Sequence, residues 1–110
     1  MPVLSEDGFM AATAFDAELR FAITHRRLLE LRYNGETRVV EPHDYGRHQG
    51  TERLLAYQLQ GRSTARGPAW RDFIVAKIEA CMVLEQLFAG SRGHQHTRHK
   101  PWDEVFARVE

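Results

Sequence analysis

Hydrophobic and polar positions follow two different periods along this chain. Near its start, apolar residues recur three and four positions apart, as on one face of a helix, at Phe15, Leu19, Ala22 and Ile23. Thr13 and Asp16 are both suitable residues to begin that helix, because their side chains can cap free backbone N–H groups. After residue 27 the period falls to two, which predicts strands.

A period of two, interrupted by turn residues, predicts five short strands. They cover residues 28–33, 37–43, 53–60, 70–78 and 81–84. Asn34-Gly35 between the first two strands is typical of a two-residue hairpin, because both residues tolerate positive φ. Pro42 indicates an edge strand or a strand end. Residues 44–51 and 61–69 carry glycines among polar residues and are predicted loops.

The pattern divides the chain into three parts. Residues 1–12 are predicted to be a flexible extension, residues 13–90 carry the helix and the strands, and residues 91–110 form a basic, histidine-rich tail with a docking segment. In that tail Pro101 precedes apolar residues at helical spacing, which predicts a short C-terminal helix. One helix followed by five strands with short connections predicts a mainly β protein, folded as a small twisted barrel.

The first hairpin is compatible with two registers. A two-residue turn pairs Leu31 with Arg38 and Leu29 with Val40, which places the Arg38 guanidinium among apolar side chains. A lone buried guanidinium is costly, so that register requires a carboxylate, a ligand or a route to water. A three-residue turn instead pairs Arg38 with Arg32. The sequence leaves both registers open.

Composition and charge narrow the classes of function. The 110 residues suffice for one domain, and the formal net charge is zero, so strong non-specific nucleic-acid binding through overall charge is not expected. The single cysteine, Cys81, excludes an internal disulfide and a cysteine-based zinc site, and its apolar setting predicts a buried thiol. No apolar stretch approaches the ~20 residues of a membrane span, and residues 1–10 lack the basic start of a secretory signal. A cytoplasmic protein is expected.

The fourth predicted strand carries the most informative pattern. Its alternation places four residues on one face, namely Arg71, Phe73, Val75 and Lys77. Two cations thus bracket a surface that packing alone would leave apolar. Guanidinium groups bind phosphate oxygens in a bidentate manner, and a lysine acts as a point charge. This strand is therefore a candidate binding surface for a phosphate-bearing ligand.

Several of these residues form an ordered pattern along the chain. Its parts are Tyr33, then Arg38-Val39-Val40-Glu41-Pro42-His43, Leu54-Leu55-Ala56-Tyr57, Arg71-Asp72-Phe73 and Lys77-Ile78. In this pattern, over roughly residues 17–88, the chain resembles the WYL domain family. Two departures are plain: Glu52-Arg53-Leu54 stands where the family has its Trp-Tyr-Leu, and Lys77 stands where it has an arginine.

The resemblance implies a fold and a function. WYL domains are Sm-like, SH3-type small barrels, and they act as ligand-sensing modules that are often tied to transcription factors in bacteria. They bind nucleic acid or nucleotide-like ligands, and the basic positions that contact the ligand match Arg38, Arg71 and Lys77. Typical members follow a helix-turn-helix domain, for which this chain has no room, so a stand-alone copy is expected. Direct reading of duplex DNA is not implied.

Other residues are candidates to support that binding surface. Tyr33, Tyr57 and Phe73 are candidates to stack bases, although core packing is the stronger explanation for Tyr57 and Phe73. His43 at the end of the second strand is either a ligand or pH-sensing group or a structural histidine. Arg62 and Arg66, in the predicted loop, are candidates to clamp a phosphate backbone.

Each basic candidate also has a purely structural explanation. Arg38, Arg71 and Lys77 can form ion pairs with carboxylates of the same sheet, at Glu30, Glu41 or Asp72. The loop arginines can simply be solvated. The histidines at positions 94, 96 and 99 are imidazoles that suit a metal, but no carboxylate or cysteine accompanies them, so no specific metal site is predicted.

The sequence thus predicts a non-enzymatic module without a cofactor. No nucleophile elbow, Gly-rich phosphate loop or His-Glu-x-x-His motif is present. The expected partner is single-stranded nucleic acid or a nucleotide-like ligand. Binding to a membrane is not expected. The alternative is a protein-interaction or homo-oligomerisation module that has lost its ligand, for which open strand edges and the segment from Trp102 to Val109 offer a homodimer surface.

Overall fold

The computed structural model describes residues 14–61, 67–97 and 101–110. Its elements are α1 (Asp16–Thr24), β1 (Arg27–Tyr33), β2 (Glu36–His48), β3 (Thr51–Gln60), β4 (Ala69–Ile74), a 3₁₀ turn (Val75–Lys77), β5 (Ala80–Leu87), a one-turn helix α2 (His94–Thr97) and β6 (Glu104–Arg108). The mainly β architecture with an N-terminal helix is confirmed. None of the helices in the described part of the chain has the length and apolar character that a membrane span requires.

All strand pairs are antiparallel and belong to one sheet. Five strands follow the order β4-β3-β2-β1-β5, and β6 pairs with β2 outside that path. The prediction of five strands is therefore wrong by one. Within the described residues the sheet is not closed: β4 and β5 are the two end strands of this order and do not pair with each other.

The first hairpin has the two-residue turn. Asn34 and Gly35 adopt φ of 53° and 74°, and Leu31 lies opposite Arg38. Of the two registers that the sequence allows, the structure therefore adopts the one that places Arg38 on the apolar face. Helix α1 begins at Asp16 as expected, although Phe15 occupies the N-cap position without a capping side-chain hydrogen bond.

The prediction of a loop over residues 44–51 is wrong. Strand β2 continues to His48, and a second two-residue turn at Gln49 and Gly50, with φ of 51° and 79°, leads directly into β3. A β-bulge explains the continuation, because Pro42 pairs with Ala56 and Asp44 with the next residue, Leu55, so that His43 is the extra residue. The strand passes its proline at this bulge instead of ending there.

The prediction of a C-terminal helix is also wrong. Residues Glu104–Arg108 form β6, which pairs with the part of β2 that lies beyond the bulge. That part of β2 would otherwise expose an edge of free N–H and C=O groups, so strand pairing outweighs the helical spacing of the apolar residues. Phe106 packs on Tyr45 with ring centroids 5.0 Å apart, and Val109 is buried.

The fourth strand is shorter and the fifth longer than predicted. Strand β4 ends at Ile74, and the 3₁₀ turn that follows is closed by a hydrogen bond from Ile78 N to Val75 O at 3.1 Å. Strand β5 reaches Leu87 instead of residue 84. The alternation that sequence reasoning carried through to Lys77 therefore stops at Ile74.

The core lies between α1 and one face of the sheet. Its fully buried side chains come from α1 and from four strands, and include Leu19, Ile23, Leu29, Leu31, Val40, Tyr45, Leu54 and Phe73. The sheet curls around this core, since Phe73 of β4 contacts Tyr33 of β1 although two strands separate β4 from β1 along the sheet. The predicted extension over residues 1–12 lies outside the described residues.

Candidate functional site

Strand β3 divides the functional residues between two faces. On the core face, Val40 of β2 lies opposite Gln58 of β3, which lies opposite Ala69 of β4. Residues two positions away share that face, so Arg38 and Arg71 both lie on it. The register thus places Arg38 and Arg71 on the same face of the sheet.

Arg38 occupies the centre of this face. Only 6 % of the residue is exposed, and its guanidinium lies 5.4 Å from the ring centre of Tyr33 and 5.7 Å from that of Phe73. Its Nη2 donates to the Tyr33 carbonyl at 3.2 Å, and Nη1 donates to Gln58 Oε1 at 3.4 Å. Planar guanidinium groups favour such contacts with aromatic faces, which offset part of their desolvation.

The charge of Arg38 is compensated by one carboxylate. Glu36 Oε1 lies 3.3 Å from Nη2, and 30 % of the Glu36 side chain is exposed. Arg38 Nε and Glu36 Oε1 are buried atoms without a hydrogen bond among the described residues. A buried N–H without an acceptor is costly, so this donor has much to gain from an anionic ligand.

Arg71, on β4, lies on the same face of the sheet. Its side chain is partly buried, and Nη1 donates to the carbonyl of Trp70 at 3.4 Å. Arg71 lies opposite Ala56, a residue whose small side chain leaves room above the sheet for the guanidinium. The two arginines are thus supplied by different strands but share one surface.

Tyr33 and Phe73 form the aromatic part of the site. Their rings meet edge to face with centroids 4.9 Å apart, and the Tyr33 hydroxyl accepts the N–H of Ile74 at 3.1 Å. These contacts hold the Tyr33 ring in place as a platform under the Arg38 guanidinium. Phe73 is fully buried, which matches the core role that the sequence allowed for it.

The other candidates lie elsewhere. Lys77 ends the 3₁₀ turn with an exposed side chain, and the turn removes it from the register that it was predicted to share with Arg71. His43, fully buried at the bulge, packs against Trp70 and Phe88, with ring centroids 4.8 Å and 5.6 Å away. Its Nδ1 is 2.9 Å from the Glu41 carbonyl, as in a structural histidine.

Some candidates fall outside the described part of the chain. These are Arg62 and Arg66 of the predicted loop, His99, and the side chain of His96. His94 is exposed, and among the described residues no group of three or more His, Cys, Asp or Glu side chains is placed to hold a metal ion.

Sequence reasoning missed two residues of functional interest. Gln58 is a fully buried amide, and its signal is the alternation of β3, which places a polar residue in line with Leu54 and Ala56 on the core face. Arg92 lies on the opposite face of β3, where it stacks on Tyr57 and pairs with Glu41. A lone arginine in a Gly-rich segment carries no periodic signal, so only the structure reveals that contact.

The cysteine is partly buried against the core, and thus less buried than the sequence predicts. Cys81 lies in β5 opposite Leu31 of β1. Burial and, to a smaller extent, the carboxylate of Glu18 raise the pKa of its thiol to about 12. A thiol with such a pKa is an inert packing group at neutral pH.

Comparison of the chain with protein-family models, with curated proteins and with solved structures finds no match. The resemblance to WYL domains therefore stays a prediction from the residues quoted above. What the geometry adds is a face with two arginines, one of them buried on aromatic rings.

Proposed function

We propose that this chain is a non-enzymatic, ligand-binding module of the WYL type, with the core face around Arg38 and Arg71 as its site. The ligand carries phosphate and is single-stranded nucleic acid or a nucleotide-like molecule. Tyr33 supports the site, and Arg62 and Arg66, which lie outside the described residues, are further candidate contacts for the ligand. A regulatory, cytoplasmic role is part of the same proposal.

The environment of Arg38 is the observation that carries this proposal. Burying a guanidinium costs several kcal/mol unless its N–H groups and charge are compensated. Glu36 supplies the charge, but Nε has no acceptor among the described residues. A phosphate that reaches this buried donor would supply the missing acceptor, and the guanidinium is already desolvated and oriented on the Tyr33 ring.

The backbone at Gly61 supports the same location for the site. Gly61, directly before Arg62 in sequence, has φ of 146° and lies so close to the site that an added Cβ would be 2.8 Å from Gln58 Nε2 and 3.2 Å from Arg38 Cγ. A side chain at position 61 would occupy the space beside the guanidinium. The close approach of the backbone to Arg38 therefore requires glycine here.

The curl of the sheet supports an Sm-like small barrel, which is the finer part of the proposal. Strands β4 and β5 lie at opposite ends of the five-strand path, where a flat sheet would separate them by roughly 19 Å. In the chain only residues 75–79 join them, and three of those form the 3₁₀ turn. So short a connection favours a strongly curved sheet.

The proposal is tested by fluorescence polarisation with labelled single-stranded DNA, single-stranded RNA, duplex DNA and a labelled nucleotide, at two salt concentrations. We expect binding of single strands or nucleotide that weakens with salt, because phosphate contacts release counterions. Arg71→Ala should weaken binding by about ten-fold, as expected for a lost charge-assisted hydrogen bond.

The matched control is Arg32→Ala. Arg32 is an exposed arginine that pairs with Glu79 and points away from the core face, since its neighbour Leu31 is buried. Its removal changes the net charge as Arg71→Ala does, but leaves the site intact. Equal losses in the two variants, or no binding of any probe at low salt, would refute the proposed site.

A second candidate function is favoured by β5. This strand ends the sheet path, and its side chains Met82 and Leu87 are 53 % and 68 % exposed. Exposed apolar side chains on an end strand suit a protein-interaction or homo-oligomerisation module. Light scattering after size-exclusion chromatography tests it: a dimer that Met82→Lys dissociates supports this function, and a monomer at all concentrations contradicts self-association.

A further inference from the structure

A second arginine is held on the face of β3 opposite to Arg38. Arg92 Nε and Nη2 donate to the two carboxylate oxygens of Glu41 at 2.8 Å and 3.1 Å. Its guanidinium also stacks on Tyr57, with 3.8 Å between the guanidinium carbon and the ring centre. The hydrogen bonds to Glu41 raise the pKa of Arg92, so its guanidinium group stays fully charged.

The sheet alone supplies the receptor side of this contact. Glu41 of β2 lies opposite Tyr57 of β3, which lies opposite Trp70 of β4. The two rings meet at 76° with centroids 5.3 Å apart, so that they form a corner beside the carboxylate. Glu41 is buried, with 8 % of the residue exposed. We call these three residues the Glu41 corner.

The arginine, in contrast, comes from a segment outside the strands. Arg92 follows Gly90 and Ser91 and precedes Gly93, and both glycines have positive φ, 109° and 62°. Two backbone N–H groups of this segment donate hydrogen bonds nearby: Ser91 N to the Glu110 carbonyl at 3.2 Å, and Gly93 N to Ser91 Oγ at 3.0 Å. The side chain of Arg92 attaches this segment to β2 and β3.

We propose that the Glu41 corner is a recognition site for an arginine side chain presented by a partner peptide, and that Arg92 fills it in the isolated chain. A planar fork satisfies both carboxylate oxygens while its face covers the Tyr57 ring, which a lysine ammonium cannot do. The site lies on the face of β3 opposite to Arg38, so this inference is independent of the function proposed above.

The burial of Glu41 determines which ligand can replace Arg92. Removing Arg92 without a substitute would leave a buried carboxylate uncompensated, which is strongly unfavourable. Exchange of one guanidinium for another keeps the charge, both hydrogen bonds and the stacking contact. A neutral or anionic ligand cannot compensate the charge of Glu41. The chemistry of the corner therefore selects a peptide with an exposed arginine.

The test uses the full chain and a synthetic peptide with the sequence of residues 88–94, Phe-Ala-Gly-Ser-Arg-Gly-His. Binding is followed by the NMR shifts of the Trp70 indole and of the backbone amides of Glu41 and Tyr57. In Arg92→Ala the corner is open, and we expect the peptide to bind at least ten-fold more tightly than to the wild-type chain. In the wild type the tethered Arg92 competes, at an effective concentration in the mM range.

Two controls locate and identify the contact. A peptide with lysine in place of the arginine should bind Arg92→Ala at least ten-fold more weakly, and adding Glu41→Gln to that variant should abolish binding of the arginine peptide. Arg92→Lys retains a cation beside Glu41 and serves as the host if Arg92→Ala does not fold. Equal binding to wild type and variant, no binding to the open variant, or equal binding of the two peptides would each overturn the proposal.

Discussion

Replacing Gly46 with alanine should loosen β6 from the sheet. Gly46 of β2 lies opposite Val105 of β6, at a shift in register between the two strands. A Cβ built at Gly46 would lie well under 3.0 Å from the Glu104 carbonyl oxygen, and 3.1 Å from both Val105 Cα and Trp102 Cε3. Backbone atoms cannot rotate away as a side chain can, so β6 itself must move.

The loss of stability depends on whether β6 shifts slightly or separates from β2. Inserting a methyl group into a close contact costs about 1–3 kcal/mol. If β6 separates completely, the chain instead loses the buried Val109 and the contact of Phe106 with Tyr45, at about 1.5–3 kcal/mol for each fully buried side chain. We expect a loss of about 2 kcal/mol in the free energy of unfolding, and a melting temperature lower by about 10 °C.

Urea unfolding followed by circular dichroism gives the free energy, and native-state hydrogen exchange locates the change. Amides of residues 104–108 should lose protection in Gly46→Ala, while those of β1 and β3 keep theirs. Gly35→Ala is the control, because Gly35 has φ of 74° and no atom within 4 Å of an added Cβ. It carries backbone strain without a clash, so its exchange in β6 should match that of the wild type. Unchanged protection of β6 in Gly46→Ala would refute the reasoning.

Three further predictions concern titratable groups. Burial, then the hydrogen bond to Asp16, raises the pKa of Tyr45 above its usual 10.0, so stability that is complete below pH 10 should fall as pH rises further. Tyr45→Phe should cost about 1 kcal/mol in urea unfolding at pH 7 and flatten this alkaline loss. Cys81 should react with a disulfide reagent at pH 8 roughly a hundred-fold or more slowly than in the unfolded chain, because burial raises its pKa to about 12. Asp103 accepts the N–H of Gly50, which lowers its pKa, so its carboxyl should titrate below 3.8 by ¹³C NMR.

The sequence predicts this fold well where local chemistry decides it. Asn34-Gly35 specifies the first turn, and alternation finds β1 and the positions of the next strands, because those signals involve neighbouring residues alone. The errors arise where distant segments decide. Pro42 suggests a strand end, but the bulge at His43 carries β2 onward, and the free edge beyond it recruits residues 104–108 as β6.

The residues of the site divide in the same way: local patterns predict some of them, and contacts between distant segments decide the others. Alternation is sufficient to place Arg71 and Phe73 on one face, and the hairpin register then adds Arg38. Lys77 was assigned by extending that alternation past Ile74, where the 3₁₀ turn interrupts it. Arg92 meets Glu41 across 51 positions of sequence, a contact that no periodic pattern encodes.

The contacts of the arginines decide which substitutions are informative. Several arginines are both paired with carboxylates and packed on rings, as Arg38 is with Glu36 and Tyr33, and Arg92 with Glu41 and Tyr57. Replacing such a residue removes packing area and also leaves a partly buried carboxylate without its partner. A loss of binding could then come from a lost ligand contact or from a disturbed fold. Arg71 is only partly buried, in contrast to Arg38, which is why its removal is the more selective probe of ligand binding.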